Sequence, residues 1–304
     1  MNFGGQWTLE KLSCLSDYLN AYTTALKNQP FELHYVDAFA GVGYLGAKRS
    51  SQAEQTLRIA DLLDTEDNMA QDYRKGSAVK ALDIKNKFHH YHFVEKNLNR
   101  YCSLKTNVDG VAKQYEDVRY DVYNQDANDW ISNWCGSVNW VKSRAVVFLD
   151  PFGMEVKWDT INCIASTGAI DLWVLIPHAI GVNRQLPGGR YPKDEVVQTL
   201  KAFLGSDDFL KRAYQPSAQQ HLDFDNVNGE VVKIFNSEMM ASYCLERLRT
   251  VFPPSGVLEK PLVLRNRQNA EMFLFCFAVA NKNPAAQNLA LKMARAIVGK
   301  HGSY

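Results

Sequence analysis

The chain has 304 residues, enough for one large α/β domain or two smaller ones. Its 34 basic and 33 acidic residues leave a formal net charge of +1, which excludes a globally basic nucleic-acid binder. Any nucleic-acid contact must therefore use a local patch. The sequence has no run of 18 apolar residues and no secretory pattern at its start, so we expect a cytoplasmic protein without membrane spans.

The six cysteines are scattered along the chain and form no Cys-x-x-Cys pair. Most of them fall within apolar patterns, which predicts buried free thiols, neither disulfides nor a metal site. They are Cys14, Cys102, Cys135, Cys163, Cys244 and Cys276.

Apolar residues spaced by three and four predict a helix over residues 7–27. Because this helix precedes the first strand, we expect it to lie across the open end of the sheet. Trp7 and Lys11 could then approach a ligand, although a role in packing alone is the simpler interpretation.

The first predicted strand, residues 33–36, runs into Asp37 and then into Gly41 and Gly43. Extended to Gly46, these glycines match the dinucleotide fingerprint formally. That motif requires a helix at once and an acid about 20 residues later, whereas a basic and serine-rich stretch follows here. An acid four residues before the first glycine instead favours a class I methyltransferase that uses S-adenosylmethionine. The alternative is a turn that merely needs glycine.

Residues 46–76 are polar and weakly periodic, too long for an ordinary loop, and are interpreted as an insertion that is a candidate lid. Helical periodicity resumes at Ser77, a candidate N-cap.

The second predicted strand, residues 91–94, ends at Glu95, where a carboxylate can accept hydrogen bonds from both ribose hydroxyls. Three histidines flank this strand, at 89, 90 and 92. Alternation places His90 and His92 on one face, but no acid or thiol at ligand spacing completes a metal site, so none is predicted.

The third predicted strand, residues 119–124, leads to Asp126, which either accepts from an adenine amine or caps the next helix. The fourth, residues 145–149, is continuously apolar and ends in Asp150, Pro151 and Phe152. Proline stops the strand, so an acid and a carbonyl next to an aromatic ring face outward, an arrangement that suits a planar amine. A plain Asp-Pro turn is the alternative.

A fifth strand is predicted over residues 171–176, followed by a helical elaboration over residues 181–252. Its mobile basic loop holds Arg184, Arg190 and Lys193, candidate nucleic-acid contacts together with Arg265 and Arg267. The apolar runs 261–264 and 272–279 are too close together for a parallel crossover and must pair antiparallel. The predicted fold is one α/β domain, residues 1–304, with a doubly wound, mostly parallel seven-stranded sheet and a C-terminal antiparallel hairpin.

Several short motifs together resemble the three-Cys-motif partner proteins, a bacterial and mobile-element family with a methyltransferase-like fold. The motifs are Trp7-Thr8-x-x-Lys11-Leu12, Asp37-Ala38-Phe39-Ala40-Gly41-x-Gly43, Gly76-Ser77, Phe93-Val94-Glu95, Asp150-Pro151-Phe152-Gly153-Met154 and the end from Phe273 to Pro284. The resemblance implies a companion protein with a radical-SAM-like cysteine signature, and no settled substrate.

Two functions follow from these observations. The first is an enzyme that methylates an amino group, with nucleic acid favoured over protein or a small molecule. The second is a binding module without turnover that serves the companion. The expected acceptor site is Asp150, Pro151 and Phe152, and the expected cofactor site is Asp37, Phe39, Ala40, Gly41, Gly43, Glu95, Asp126 and Asp150.

Overall fold

The computed structural model describes residues 6–44, 75–115, 118–216 and 231–302. Almost all of the insertion expected over residues 46–76 therefore lies outside the described residues. The chain divides into two compact units, Met1–Asp150 with Lys292–Tyr304, and Pro151–Leu291.

The first unit alternates strands and helices, as the sequence patterns predict. Its elements are α1 (Gln6–Leu26), β1 (Glu32–Asp37), α2 (Ser77–Leu82), β2 (His90–Val94), α3 (Leu98–Ala112), β3 (Tyr120–Tyr123), α4 (Ala127–Ser137) and β4 (Ser143–Leu149). The long helix expected at residues 7–27 is confirmed as α1, and its buried stripe contains Leu12, Leu15, Tyr18, Leu19 and Tyr22.

The second unit carries the remaining strands and a helical region. Its elements are α5 (Trp158–Ser166), β5 (Ile170–Ile176), a π-helical turn (His178–Val182), a 3₁₀ turn (Asn183–Gln185), α6 (Asp194–Leu204), α7 (Phe209–Ala213), β6 (Tyr214–Pro216), β7 (Val231–Lys233), α8 (Ser237–Arg249), a second 3₁₀ turn (Pro254–Gly256), β8 (Leu262–Arg265) and β9 (Glu271–Val279). The last helix, α9 (Pro284–His301), crosses the division between the units.

The sheet has seven strands in the order β3-β2-β1-β4-β5-β9-β8. Strand β1 pairs in parallel with β2 and β4, and β2 pairs in parallel with β3. Strand β9 runs antiparallel to both β5 and β8. A mostly parallel α/β sheet with a C-terminal antiparallel hairpin confirms the predicted fold class.

The two faces of the first unit's strands carry different residues because side chains alternate along a strand. One face of β1 and β2 is a cluster of aromatic rings, in which Tyr35 packs edge-on against Tyr91 and Phe93. The ring of Tyr22 in α1 stacks on Phe88 at a centroid distance of 5.9 Å. This aromatic layer holds α1 against the strands.

The elaboration expected to be helical over residues 181–252 also contains two short strands. Residues 231–233 instead pair antiparallel with β6 as a small two-stranded sheet, since two valines in succession favour a strand. Helix α8 begins only after Asn236, whose side chain accepts from the backbone N–H of Met239 as an N-cap.

All six cysteines are free thiols, as predicted, although Cys102 is exposed and Cys163 is partly exposed. Among the described residues, no helix has the length and apolar character needed to cross a membrane.

Candidate functional site

The acids at the ends of three parallel strands meet at one edge of the first unit. Asp37, the last residue of β1, is in register with Phe93 of β2 and Phe148 of β4. Glu95 and Asp150 each follow two residues after these partners, immediately beyond the ends of their strands. The parallel register therefore places the three carboxylates at the carboxyl edge of the sheet, where α/β proteins bind their ligands.

The loop after β1 takes a backbone conformation that requires glycine. Gly41 and Gly43 have φ angles of 62° and 80°, in the left-handed region. The amide of Ala40 donates to the carbonyl of Val94 at 3.1 Å, and the side chain of Asn107 donates to the carbonyl of Val42 at 2.7 Å. These contacts from β2 and α3 hold the loop open at the edge of the sheet.

The start of α2 closes against the same loop. The amide of Gly76 donates to the carbonyl of Gly43 at 2.9 Å, and a Cβ at position 76 would lie 2.7 Å from that carbonyl oxygen. A side chain at this position would push the loop away. The expected N-cap at Ser77 is replaced by Gly76, and Ser77 is the first residue of the helix.

Asp37 is completely buried. Neither of its carboxylate oxygens accepts a regular hydrogen bond from a described residue, although the Ser77 hydroxyl and the Phe39 amide interact favourably with its charge. Burial, reinforced by the charge of Asp150, raises the pKa of Asp37 to about 7. In its ionised form, a carboxylate buried in this way is a strong acceptor for a cationic donor.

Asp150 is paired with Lys11 of α1. Lys11 Nζ lies 2.5 Å from the Asp150 carboxylate, and the two side chains are 2% and 26% exposed. The ammonium also lies 5.2 Å from the ring centroid of Trp7. Helix α1 thus brings Trp7 and Lys11, the two residues expected to approach a ligand, to the carboxyl edge of the sheet. There Lys11 pairs with Asp150, an acid of the predicted site.

Glu95 is buried and tied to the start of α3. Its Oε1 accepts from the backbone amide of Asn97 at 2.7 Å and from Nη2 of Arg100 at 2.8 Å. Both bonds use the same oxygen, so Oε2 takes neither. The two bonds to Oε1 therefore fix the orientation of the Glu95 carboxylate.

Asp126 has the capping role that the sequence left open. Its side chain accepts from the Asn128 amide as the N-cap of α4 and also pairs with Lys96 at 2.9 Å. The adenine contact remains a prediction.

In the second unit, Pro151 is buried and Phe152 is 57% exposed. Arg184, Arg190 and Lys193 are all exposed, as expected of a contact surface.

The first residues of the basic loop receive hydrogen bonds from two neighbouring strands. Lys233 Nζ donates to the carbonyls of Asn183 and Leu186, and the Tyr214 hydroxyl donates to the carbonyl of Pro187. Arg265, the expected additional contact, pairs with Glu271 at 2.7 Å. Hydrogen bonds from β6 and β7 therefore hold residues 183–187, and the mobility of the rest of the loop remains a prediction.

Sequence reasoning missed two contributions to this edge, the Lys11–Asp150 pair and the approach of Ser77 to Asp37. The motifs that contain Lys11 and Ser77 were visible, but nothing in their spacing indicates which acid each one meets.

No family model matches the chain, and no curated protein matches it by sequence. Among solved structures, protein LPL1258 from Legionella pneumophila is similar at 10% identity, with 99% of this chain and 94% of that chain covered and a TM-score of 0.49. Trm1 from Pyrococcus horikoshii, in complex with S-adenosyl-L-methionine, is similar at 10% identity over 96% and 81%, with a TM-score of 0.35.

A third structure, yhhF from Escherichia coli, is described as a candidate methyltransferase. It is similar at 14% identity over 52% of this chain and 66% of that chain, with a TM-score of 0.26. All three TM-scores are below 0.5, and all three sequence identities are below 15%.

Proposed function

We propose that the protein binds S-adenosylmethionine at the carboxyl edge of β1, β2 and β4 and transfers its methyl group to an amino group, with nucleic acid as the favoured acceptor. The observation that carries this proposal is the fully buried carboxylate of Asp37, which accepts no regular hydrogen bond from a described residue, beside the left-handed Gly41–Gly43 loop. The weak interactions with Ser77 and Phe39 compensate its burial only in part, so a cationic ligand group at this position would offset the remaining cost.

The residues of the first unit fit this cofactor by chemical type. Asp37 would accept from the ammonium of the methionine part of the cofactor, beside the glycine loop. Oε2 of Glu95 would accept from the ribose hydroxyls. Asp126 would meet the adenine amine, using a carboxylate that already caps α4.

The cofactor supplies an activated methyl group on a sulfonium, so the protein mainly orients the acceptor in a dry site. Asp150 is the acid available to receive an N–H of the acceptor amine. Its 26% exposed side chain is fixed by Lys11 and keeps a solvent-facing surface. Pro151 and Phe152, which follow Asp150 in the chain, remain the predicted source of a carbonyl acceptor and a stacking ring.

The second candidate is a binding module that serves a companion protein, as the three-Cys-motif partner resemblance implies. The Lys11–Asp150 pair favours it, because an acid already paired with a buried ammonium has a structural role independent of turnover. Both candidates bind the cofactor, so cofactor binding does not separate them.

Methyl transfer from labelled cofactor to fractions of cell extract separates the two candidates. It should be run with nucleic-acid, protein and small-molecule fractions, each with and without the companion. Label in the nucleic-acid fraction supports the enzyme, and its absence from every fraction in both conditions supports the binding module.

The Glu95→Ala variant should bind S-adenosylhomocysteine about 10- to 150-fold more weakly than the wild type. The reason is the loss of a hydrogen bond to a charged group, which contributes roughly 1.5 to 3 kcal/mol. Calorimetry measures the affinity. The matched control is Glu32→Ala, which removes a half-exposed acid from the opposite end of β1. Equal affinities for all three proteins would remove Glu95 from the site.

Replacement of Arg184, Arg190 and Lys193 by alanine should weaken nucleic-acid binding and flatten its salt dependence. Each neutralised phosphate contact changes the slope of log K against log salt by about 0.7 to 0.9. Titrations at several salt concentrations measure this slope.

The control for this triple variant replaces three exposed lysines of the first unit, Lys27, Lys85 and Lys142. We expect this control to bind with the wild-type slope. If the two triple variants behave alike, the basic loop is an ordinary charged surface.

A further inference from the structure

Three histidines form a buried cluster in the first unit. His34 of β1 is directly in register with His90 of β2, and His92 lies on the same face two residues further along. The three residues are buried, with 4–5% exposure. Strand alternation places this face opposite to Asp37, so the cluster is separate from the proposed cofactor site.

The ring nitrogens are spaced like the ligands of one metal ion. One ligand nitrogen from each histidine lies within 4.8 Å of the other two. Nδ1 of His34 and Nε2 of His92 are 3.2 Å apart. A tetrahedral zinc ion with bonds of about 2.0 to 2.1 Å holds its nitrogen ligands about 3.3 Å apart, so this pair needs almost no rearrangement.

The outer nitrogens face oxygen partners, as the second ring nitrogen of a metal-bound histidine usually does. Nε2 of His90 lies 2.7 Å from the Asp121 carboxylate, which leaves Nδ1 of that ring to act as a ligand. Nδ1 of His92 faces the Tyr123 hydroxyl at 3.5 Å. Nε2 of His34 lies 3.8 Å from the Glu32 carboxylate, a longer charge contact.

The same rings are protected from solvent by two tryptophans of α4. The centroid of His92 lies 5.5 Å from the rings of both Trp130 and Trp134, and His34 packs edge-on against Trp134.

We propose that His34, His90 and His92 bind one divalent transition-metal ion of the class that prefers imidazole ligands, with Zn²⁺ as its first candidate. The ion would link β1 to β2 beneath α4, and its fourth position would take a water molecule, with Asp121 holding the outer nitrogen of His90. Its burial on the face away from Asp37 indicates a structural role.

The test uses tag-free, full-length protein, because an affinity tag of histidines would bind the same metals. The protein is stripped with a chelator, dialysed against Zn²⁺ or Co²⁺, and analysed for metal by mass spectrometry. We expect about one ion per chain, visible bands of tetrahedral Co²⁺, and a melting temperature about 5 °C higher with Zn²⁺ in large excess over its dissociation constant.

The variant His92→Gln should lose the Co²⁺ bands and the thermal shift. The control His89→Gln changes an exposed histidine directly before β2, and it should keep both the Co²⁺ bands and the thermal shift. Should His92→Gln fail to fold, the wild-type stoichiometry and Co²⁺ spectrum still decide. Wild-type protein that holds no stoichiometric metal and shows no thermal shift overturns the site, as does binding that is unchanged in a folded His92→Gln.

Discussion

The Asp37→Asn variant is expected to gain stability relative to the wild type as the pH rises from about 4 to about 8. In the folded protein the pKa of Asp37 is about 7, against an ordinary value of 3.8. Between these values the folded chain keeps a proton that the unfolded chain has lost, so wild-type stability falls as the pH rises. Asparagine has no proton to lose. The difference in unfolding free energy between the variant and the wild type should therefore change by roughly 4 kcal/mol in favour of the variant across this pH range.

Urea unfolding of both proteins across this pH range measures the difference in unfolding free energy. Glu32→Gln is the control, since it changes an acid at the half-exposed end of the same strand. It should track the wild type at every pH. A difference between Asp37→Asn and the wild type that stays constant with pH would mean that Asp37 is ionised in the folded state.

The same carboxylate separates a ligand site from a purely structural acid. If it pairs with the ammonium of the cofactor, it must be charged in the complex, so affinity should fall as the pH drops below about 7, by at most about tenfold per unit. Asp37→Asn should bind weakly with no such dependence. Calorimetry with S-adenosylhomocysteine measures both.

The fold was predictable because its signals are local. Strands β1, β2 and β4 each end in an apolar stretch, and an acid stands where that stretch stops. The distance from β8 to β9 is too short for a crossover, so the antiparallel hairpin followed from chain length alone. These features do not depend on which distant residues meet.

The features that were not predicted are contacts between residues that are distant in the sequence. Lys11 and Asp150 are 139 residues apart, and no spacing rule connects a helix before the first strand to the end of the fourth. The clustering of His34 with His90 and His92 was not predicted, because His34 comes from a neighbouring strand 58 residues before His92. Strand β7 was hidden inside a helical pattern, because its partner β6 lies outside that window.

The Asp150→Ala variant is expected to lose both stability and methyl transfer, for two different reasons. Removing this acid leaves the Lys11 ammonium buried without its charge partner, which costs about 3 to 5 kcal/mol. If Asp150 also orients the acceptor, methyl transfer should fall by on the order of a hundredfold. A single variant cannot distinguish lost chemistry from lost folding.

The double variant Lys11→Met with Asp150→Ala separates the two effects, because methionine removes the buried charge and keeps most of the side-chain volume. Relative to Asp150→Ala, it should recover most of the unfolding free energy, as measured by denaturant titration. Methyl transfer by the double variant should still be about a hundredfold below that of Lys11→Met, with similar cofactor affinity. Equal rates for these two proteins would show that Asp150 serves the ion pair alone, and that another group orients the acceptor.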